Sequence, residues 1–388
     1  MFPRPRCTAL VPPMEEAMAM RPPAVPFDAI SEQVLSHYGA LVKHFAFVKM
    51  LPSERDVNYL LATEWLVSGG SNGSFTNRTI LKVSNGSDDR DVLRAQTETL
   101  LYCRKAGCRV QTVYEPAYLE LQLNGQRYLA RLFSYIEGEL ISSINRESDT
   151  GIFLDAWKAA GECVGEVSVC LRRYMRELAQ NDEARHAFLS TLESSWEWNL
   201  CNVEKTIGEY GRHFPADEPL YAMRHEIVLQ RLGAFVSKYA GGAHLPRALV
   251  HNDPNDNNIV VQQTEHGAVV YLLDWGDLSY SYAVADAAIG AAYISDEEAR
   301  RGYVGAWLRV QHAVLSEVVG TAAADGSDVE LLARALVDDL IGMRQITSVT
   351  LSNFQEQRLR RNGIDRDQSP EFQYLLISQS QMWKMLGS

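Results

Sequence analysis

The stretch LVHNDPNDNNIVVQQTEHGAVVYLLDWGD, Leu249–Asp277, decides how this chain is interpreted. It contains two short apolar runs, Ile259–Gln263 and Ala268–Leu273, joined by four residues. Apolar runs with such a connection are typical of a β-hairpin. If the turn is centred in that connection, paired residue numbers sum to about 531 or 532. Asn258 is therefore predicted to face Asp274 or its neighbour across the open end of the hairpin.

The open end of this hairpin predicts a cation site. Opposed side chains in an antiparallel pair lie ~5 Å apart at Cβ, so the Asn258 amide oxygen and the Asp274 carboxylate converge. Mg²⁺ prefers oxygen ligands and is usually held by one or two carboxylates together with substrate phosphates. Asn258 and Asp274 are therefore the predicted metal ligands.

Asp253 lies five residues before Asn258, in the turn that leads into the hairpin. A carboxylate beside a metal and phosphate centre is suited to accept the proton of an attacking hydroxyl. His251 is expected to brace the loop by hydrogen bonds. The alternative is that the Asp and Asn residues merely serve turns, which they favour for backbone reasons. The joint pattern of HxDxxxxN, a hairpin and DxxD favours the catalytic interpretation.

Composition limits the class of protein. A chain of 388 residues with 46% hydrophobic and 22% charged residues is typical of an ordinary soluble protein with two domains or lobes. No apolar run approaches the ~18 residues that cross a bilayer, so no membrane partner is expected. The net charge of -12 argues against nucleic acid as a partner and favours cationic small molecules. The six cysteines form no CxxC, which predicts reduced thiols in a cytoplasmic protein and no zinc spacing.

The pattern along the chain predicts an α+β protein in three parts. Residues 1–26 are rich in Pro and Met and are interpreted as a disordered tail, with an organelle presequence as the alternative. Residues 27–135 form a lobe of antiparallel strands and one helix, and residues 136–388 form a mainly helical lobe. The predicted elements of the first lobe are strands at Lys43–Met50, Val57–Val67, Arg78–Ser84 and Arg127–Gly138, and a helix at about Asp88–Ala106.

Lys82 interrupts an otherwise apolar strand and points opposite to Leu81 and Val83. A buried ammonium needs an anionic partner, and a nucleotide phosphate would provide one. The alternative is a surface lysine on a half-exposed strand. On the following helix, Gln96 lies on the apolar stripe and Glu98 on the polar face, so Gln96 is predicted to hydrogen-bond Lys82.

One loop of the first lobe looks like a phosphate-binding segment, and another has the position of one. The loop Leu51–Asp56 lies between the first two strands and is expected to cover the phosphates, with backbone amides and the Ser53 hydroxyl as contacts. A simple turn is the alternative for that loop. Ser68–Gly73, SGGSNG, lacks the GxGxxG spacing and is interpreted as a distal hairpin tip.

These motifs, in this order, resemble the aminoglycoside phosphotransferase and choline kinase superfamily, whose members phosphorylate hydroxyls of small molecules. The resemblance implies a two-lobed, protein-kinase-like fold with a small antiparallel-sheet nucleotide lobe and a larger helical lobe. It implies that Asp253 is the catalytic base and that Asn258 and Asp274 bind Mg²⁺. At the hinge, the carbonyl of Ser134 and the amide of Ile136 become the expected contacts of the nucleotide base. Whether ATP or GTP is the phosphoryl donor stays open.

Within that superfamily, the segment Asp274–Ile294 resembles the hydroxylysine kinase branch, which shares DxGDxSYS followed by a small-residue helix. Asn252 departs from the family, which usually has Gly there, but Asn tolerates left-handed backbone angles. The resemblance implies a hydroxylated amine substrate, best represented by 5-hydroxy-L-lysine. Asp277 is expected to contact the substrate ammonium or, alternatively, to cap a helix beginning near Leu278.

Other functions remain open at this point. Homoserine, choline, ethanolamine, methylthioribose or an aminoglycoside could be the phosphoryl acceptor instead. A pseudokinase that binds nucleotide without catalysis is the alternative from another class, and Gln96 and Asn252 are the residues that favour it.

Overall fold

The structure is a computed structural model that describes residues 22–53, 55–66, 74–192, 197–239, 245–319, 329–361 and 380–386. Most of the predicted tail and the predicted tip Ser68–Gly73 lie outside these residues. The chain divides into two compact units. The first runs through Arg90 and resumes at Val113–Tyr135, and the second comprises Asp91–Thr112 and the residues from Ile136 onward.

The first unit is built on a five-stranded antiparallel sheet in the order β1-β2-β3-β5-β4. Its elements are α1 (Phe27–Tyr38), β1 (Val42–Leu51), β2 (Val57–Leu66), β3 (Ser74–Val83), β4 (Leu119–Leu123) and β5 (Gln126–Ser134). The four predicted strands are present as β1, β2, β3 and β5, but the third begins four residues earlier than predicted and the fourth ends at Ser134, four residues before Gly138. Strand β4 and helix α1 were not predicted. The buried residues of α1 recur at helical spacing and join the core of the sheet: Phe27, Ile30, Val34 and Tyr38.

Strand β3 places Lys82 between two neighbours. Lys82 pairs with Asn58 on β2 and with Arg131 on β5. Leu81 and Val83 are fully buried in the core, so Lys82 extends from the opposite face of the sheet, as the alternation predicts.

The second unit is mainly helical. Its helices are α2 (Arg90–Lys105, which the second unit contains from Asp91), α3 (Thr150–Leu178), α4 (Asp182–Leu192), α5 (Val203–Tyr210), α6 (Pro219–Tyr239), α7 (Ala285–Ala292), α8 (Glu297–Gln311), α9 (Leu315–Val319) and α10 (Val329–Arg361). Two small sheets accompany them, a three-stranded sheet in the order β6-β8-β9 and a pair β10-β7. Their strands are β6 (Glu139–Leu140), β7 (Arg247–Val250), β8 (Ile259–Thr264), β9 (Gly267–Leu272) and β10 (Ser279–Tyr282). The predicted α+β class is confirmed.

The hairpin of β8 and β9 has the predicted register. Ile259 pairs with Leu272 and Thr264 with Gly267, so paired numbers sum to 531. Leu273 donates its backbone N–H to the carbonyl of Asn258 over 2.8 Å. Asn258 therefore faces the neighbour of Asp274.

The cysteines differ from the prediction in one respect. All five that the structure describes are free thiols. The fold brings the sulfur atoms of Cys103, Cys108 and Cys170 within 4.8 Å of one another, although their sequence spacing indicates no cluster. Cys170 comes from α3 and the other two from α2 and the turn after it, so only the tertiary structure joins them.

Across the part of the chain that the structure describes, no helix combines the length and the apolar character needed to span a bilayer.

Candidate active site

Asp253 lies in a loop whose backbone is held by a buried carboxylate. The backbone N–H groups of His251 and Asn252 donate to the two oxygens of Asp286, over 3.1 and 2.8 Å. Asp286 belongs to the small-residue helix α7 and is 1% exposed. Asn252 has φ 69°, the left-handed conformation that Asn tolerates better than most residues with a side chain. Asp286 is therefore the structural hydrogen-bond acceptor of the loop that carries Asp253.

His251 braces the same loop, as the sequence predicts. Its Nε2 lies 2.9 Å from the carbonyl oxygen of Leu273, and its Nδ1 accepts the backbone N–H of Asp253 over 3.3 Å. Burial lowers the pKa of His251 to about 4, so the imidazole is neutral at pH 7. A neutral ring with one donor and one acceptor nitrogen satisfies both contacts.

The Asp253 carboxylate accepts hydrogen bonds from three side chains. Asn255 donates from Nδ2 to both oxygens over 2.9 and 3.0 Å, and Asn258 donates from Nδ2 to Oδ2 over 2.7 Å. The third donor is Arg344, 3.2 Å from Oδ1. Burial raises the pKa of Asp253 well above its ordinary value, Asp277 and Asp274 raise it further, and Arg344 opposes them. A carboxylate in such surroundings is a stronger base than one in water.

Asn258 and Asp274 fit a divalent cation. The Asn258 amide nitrogen donates to the backbone carbonyl of Asp253 over 3.0 Å as well as to its carboxylate, which leaves the amide oxygen for a ligand role. Asp274 has φ 48° and accepts the Gly276 N–H over 3.1 Å. The donor set is one amide oxygen and one carboxylate, which suits Mg²⁺.

Gln96 supports the metal motif from helix α2. It is 3% exposed, and its Nε2 donates to the carbonyl of Gly276 over 2.7 Å. The sequence predicts a hydrogen bond from Gln96 to Lys82, but the side-chain amide nitrogen of Gln96 has a different partner. Gln96 instead holds the backbone two residues beyond Asp274.

Lys82 has an anionic partner within the first unit. Its Nζ lies 3.0 Å from Oδ2 of Asp56, and the two side chains are 12% and 14% exposed. The alternative of a surface lysine is therefore wrong. Asp56 was not predicted as this partner, and it takes the role that the sequence predicted for Gln96. Ser53 lies in the same loop, where its hydroxyl oxygen accepts the backbone N–H of Asp56 over 3.2 Å.

Asp277 does not cap a helix. The residues that follow it form strand β10, Ser279–Tyr282, and the next helix begins at Ala285. The capping alternative is therefore wrong, because the segment after Asp277 is extended. Asp277 is close enough to Asp253 and Arg344 to influence the pKa of each.

Arg344 is a residue of the site that the sequence analysis missed. It lies on α10 and its side chain is 2% exposed. The guanidinium carbon is 4.6 Å from the ring centre of Trp198 and 5.7 Å from that of Tyr293. It also donates to the Trp198 carbonyl and the Tyr293 hydroxyl. The segment RQITSVTLS contains Arg344, but nothing in its spacing joins it to Asp253.

The hinge residues occupy the ends of their segments. Ser134 is the last residue of β5 and pairs with Thr79. Ile136 begins the long segment of the second unit. Their contacts with a nucleotide base stay a prediction.

The profile of the phosphotransferase enzyme family, APH, matches residues 61–320. The chain belongs to this family. This phosphotransferase thus has the fold and the activity class that the resemblance implied, transfer of a phosphoryl group to an alcohol.

Three vertebrate relatives agree with the family. The phosphotransferase is 25% identical over 306 residues to the hydroxylysine kinase of Bos taurus, an alignment that covers 73% of each chain. It is 24% identical over 280 residues to that of Mus musculus, covering 66% of this chain and 67% of the relative. The hydroxylysine kinase of Xenopus laevis is also 24% identical, over 297 residues.

Solved structures of small-molecule kinases share the fold of this phosphotransferase. Spectinomycin phosphotransferase, in complex with ADP and spectinomycin, superposes with a TM-score of 0.52 at 13% identity, covering 94% of this chain and 95% of the other. An ethanolamine kinase of Plasmodium vivax gives 0.51 at 11% identity, covering 91% and 83%. At these identities the similarity shows the fold alone.

Proposed function

We propose that this phosphotransferase transfers the γ-phosphoryl group of ATP to the hydroxyl of an amino-bearing small molecule, with 5-hydroxy-L-lysine as the best candidate. The observation that carries the proposal is the environment of Asp253, a partly buried carboxylate held by Asn255, Asn258 and Arg344. The similarity to vertebrate hydroxylysine kinases supports the choice of acceptor.

In the proposed reaction, Asp253 accepts the proton of the acceptor hydroxyl. The hydroxyl oxygen forms a bond to the γ-phosphorus, and the bond from that phosphorus to the β,γ-bridging oxygen breaks, which releases ADP. Because burial strengthens the Asp253 carboxylate as a base, it is suited to remove this proton as the new bond forms.

The remaining residues position the two substrates. Asn258 and Asp274 would hold Mg²⁺, which when bound neutralises charge on the β- and γ-phosphates. Lys82, whose ammonium is held by Asp56, is proposed to bind nucleotide phosphate. Ser53, Ser134 and Ile136 are proposed as further nucleotide contacts.

Asp277 is the proposed contact of the substrate ammonium. Asp277 lies near Asp253. The strand Ser279–Tyr282 follows it, so its carboxylate does not cap a helix. A second carboxylate beside the base favours an acceptor with a positive charge close to its hydroxyl. An amino alcohol or a hydroxylated amino acid has this property.

The test is release of nucleoside diphosphate with Mg²⁺, with ATP and GTP assayed separately. The acceptor panel is 5-hydroxylysine, homoserine, choline, ethanolamine, methylthioribose and an aminoglycoside. We expect 5-hydroxylysine with ATP to give the strongest stimulation. If no acceptor of the panel stimulates release of nucleoside diphosphate and nucleotide binding is retained, another acceptor or a pseudokinase would be favoured.

Two variants connect the assay to the site. Asp253→Ala removes the base but no proposed phosphate contact, so turnover should be lost while nucleotide binding remains. Asp274→Ala should weaken binding of the metal and nucleotide together. Unchanged turnover in Asp253→Ala, or an unaltered Mg²⁺ dependence in Asp274→Ala, would reject these assignments.

We also propose a cytoplasmic location, which the five free thiols of the described chain support. Cell fractionation that recovers the protein from a secreted fraction would reject it.

A further inference from the structure

A cavity of about 240 Å³ lies in the second unit, lined by residues of α3, α4, β7 and β10. Four arginines line it, with one acidic residue, Glu317. The arginines are Arg172, Arg176, Arg185 and Arg247. The cavity therefore has three positive charges in excess, in a chain whose net charge is -12.

Part of this positive charge is only partly compensated, and some of its hydrogen-bond donors have no acceptor. Glu317 forms its ion pair with Arg176. In the described part of the chain, Nε and Nη2 of Arg172 and Nε of Arg185 are buried without a hydrogen-bond partner. Burial lowers the pKa of Arg172 to about 10; Glu317 and Asp286 oppose this shift only partly, and Arg176 adds to it. Buried guanidinium nitrogens without acceptors are costly, and an oxyanion would satisfy them.

We propose that this cavity binds a small phosphate-bearing anion. Guanidinium groups present a rigid fork of donors that matches phosphate oxygens in pairs, and several forks converge here. The cavity is several times larger than the ~30 Å³ that one water occupies in the liquid. It therefore accepts a phosphate group together with a small organic substituent.

The cavity is lined by other residues than the proposed catalytic site, but two of its strands, β7 and β10, adjoin that site in sequence. Leu249 of β7 lines it, and the chain continues from β7 directly to Asp253. Tyr280 of β10 also lines it, three residues after Asp277. Leu249 and Tyr280 are paired across the two strands. An anion bound to the arginines would thus stabilise the pair of strands that precedes Asp253 and follows Asp277.

The test is thermal unfolding of the full-length protein in inorganic phosphate, with chloride at the same ionic strength as the reference and citrate as a carboxylate probe. We expect the unfolding temperature to rise with phosphate and to saturate, and citrate to act more weakly. A larger rise with citrate, or no rise with phosphate, overturns the proposal of a phosphate site.

Variants assign the effect to this cavity. Arg172→Met and Arg185→Gln should each weaken the apparent phosphate affinity about tenfold or more, because each removes charge-assisted hydrogen bonds. Without phosphate, Arg172→Met should unfold at the same or a higher temperature than the wild type, since it removes a mostly buried cation whose desolvation is only partly compensated. If Arg172→Met does not fold, the apparent phosphate affinity of Arg185→Gln alone tests the proposal.

The controls separate this cavity from other phosphate sites. Arg301→Met removes an arginine whose side chain is 71% exposed on α8, and it should leave the phosphate response unchanged. Lys82→Met tests the proposed nucleotide site of the first unit. A phosphate response that Lys82→Met abolishes and that both cavity variants retain would overturn the proposal.

Discussion

Arg344 donates a hydrogen bond from Nη2 to Oδ1 of Asp253 across 3.2 Å, although 91 residues separate them in the chain. The guanidinium packs beside the rings of Trp198 and Tyr293, so its position is fixed by contacts on several sides. It also lowers the pKa of Asp253, against the effect of burial. Arg344 is therefore a positioning residue for the proposed base.

Replacing Arg344 should affect catalysis in a pH-dependent way. In Arg344→Met we expect kcat/KM to fall about 100-fold, because the carboxylate loses a partner that fixes its orientation. The acid limb of the profile of kcat/KM against pH should move to higher pH, since the cation that lowers the pKa of Asp253 is gone. Arg309→Met, at an arginine whose side chain is 58% exposed, is the control. A fall in stability with an unchanged pH profile would assign Arg344 a purely structural role.

Gln96→Leu should raise the Mg²⁺ concentration needed for half-maximal rate. The substitution removes the hydrogen bond to Gly276 that holds the backbone beyond Asp274. We expect an increase of about five- to tenfold, the value of one hydrogen bond. Glu98→Leu, on the exposed face of the same helix, should leave the requirement unchanged. Equal behaviour of the two variants in a Mg²⁺ titration would contradict this role.

Asp56→Asn should destabilise the protein and increase the stabilisation that ATP gives. The variant removes one carboxylate from the mostly buried Lys82 ammonium, which costs about 2 kcal/mol of unfolding free energy. A bound phosphate would add an anion beside Lys82. Urea unfolding with and without ATP measures both effects. Glu64→Gln breaks the exposed pair with Lys43 and should cost only about 0–1 kcal/mol.

Two titrating groups that hold the loop carrying Asp253, His251 within the loop and Asp286 on α7, have opposite effects on stability. The pKa of His251 falls from 6.5 to about 4, so the unfolded chain takes up this proton first as the pH drops, and stability decreases. The pKa of Asp286 rises from 3.8 to about 6, so the folded protein takes up this proton first, and stability increases. Each effect reaches about 3 kcal/mol.

Asp286→Asn should uncover the His251 effect. Between pH 7 and pH 4, we expect its unfolding free energy to fall by about 3 kcal/mol more than that of the wild type. Glu265→Gln, at the exposed tip of the hairpin, should follow the wild type. Parallel pH curves for Asp286→Asn and the wild type, measured by urea unfolding, would show that the two groups do not compensate.

The sequence predicted what local patterns encode. Alternation along β3 placed Lys82 opposite the core, and hairpin symmetry predicted the register that puts Asn258 opposite Leu273, the neighbour of Asp274. The loop motif identified His251 as a brace, because a His, an Asp and an Asn at short spacing constrain one turn.

Partners contributed by distant segments were not predicted. Asp56, Arg344 and the three clustered cysteines come from elements whose proximity depends on the tertiary fold. Gln96 shows the same limit in another form. The helical stripe correctly placed it on the buried face, but periodicity gives a direction and not the identity of the group that lies there.

The Asp56 and Lys82 pair keeps the mostly buried lysine of the first unit in place before any nucleotide binds. Under the proposed function, a phosphate would approach an ammonium whose position is already fixed. The Asp56 carboxylate also accepts the backbone N–H of Asn85 over 3.2 Å. One carboxylate therefore ties the proposed phosphate contact to the loop between β1 and β2 and to the chain just after β3.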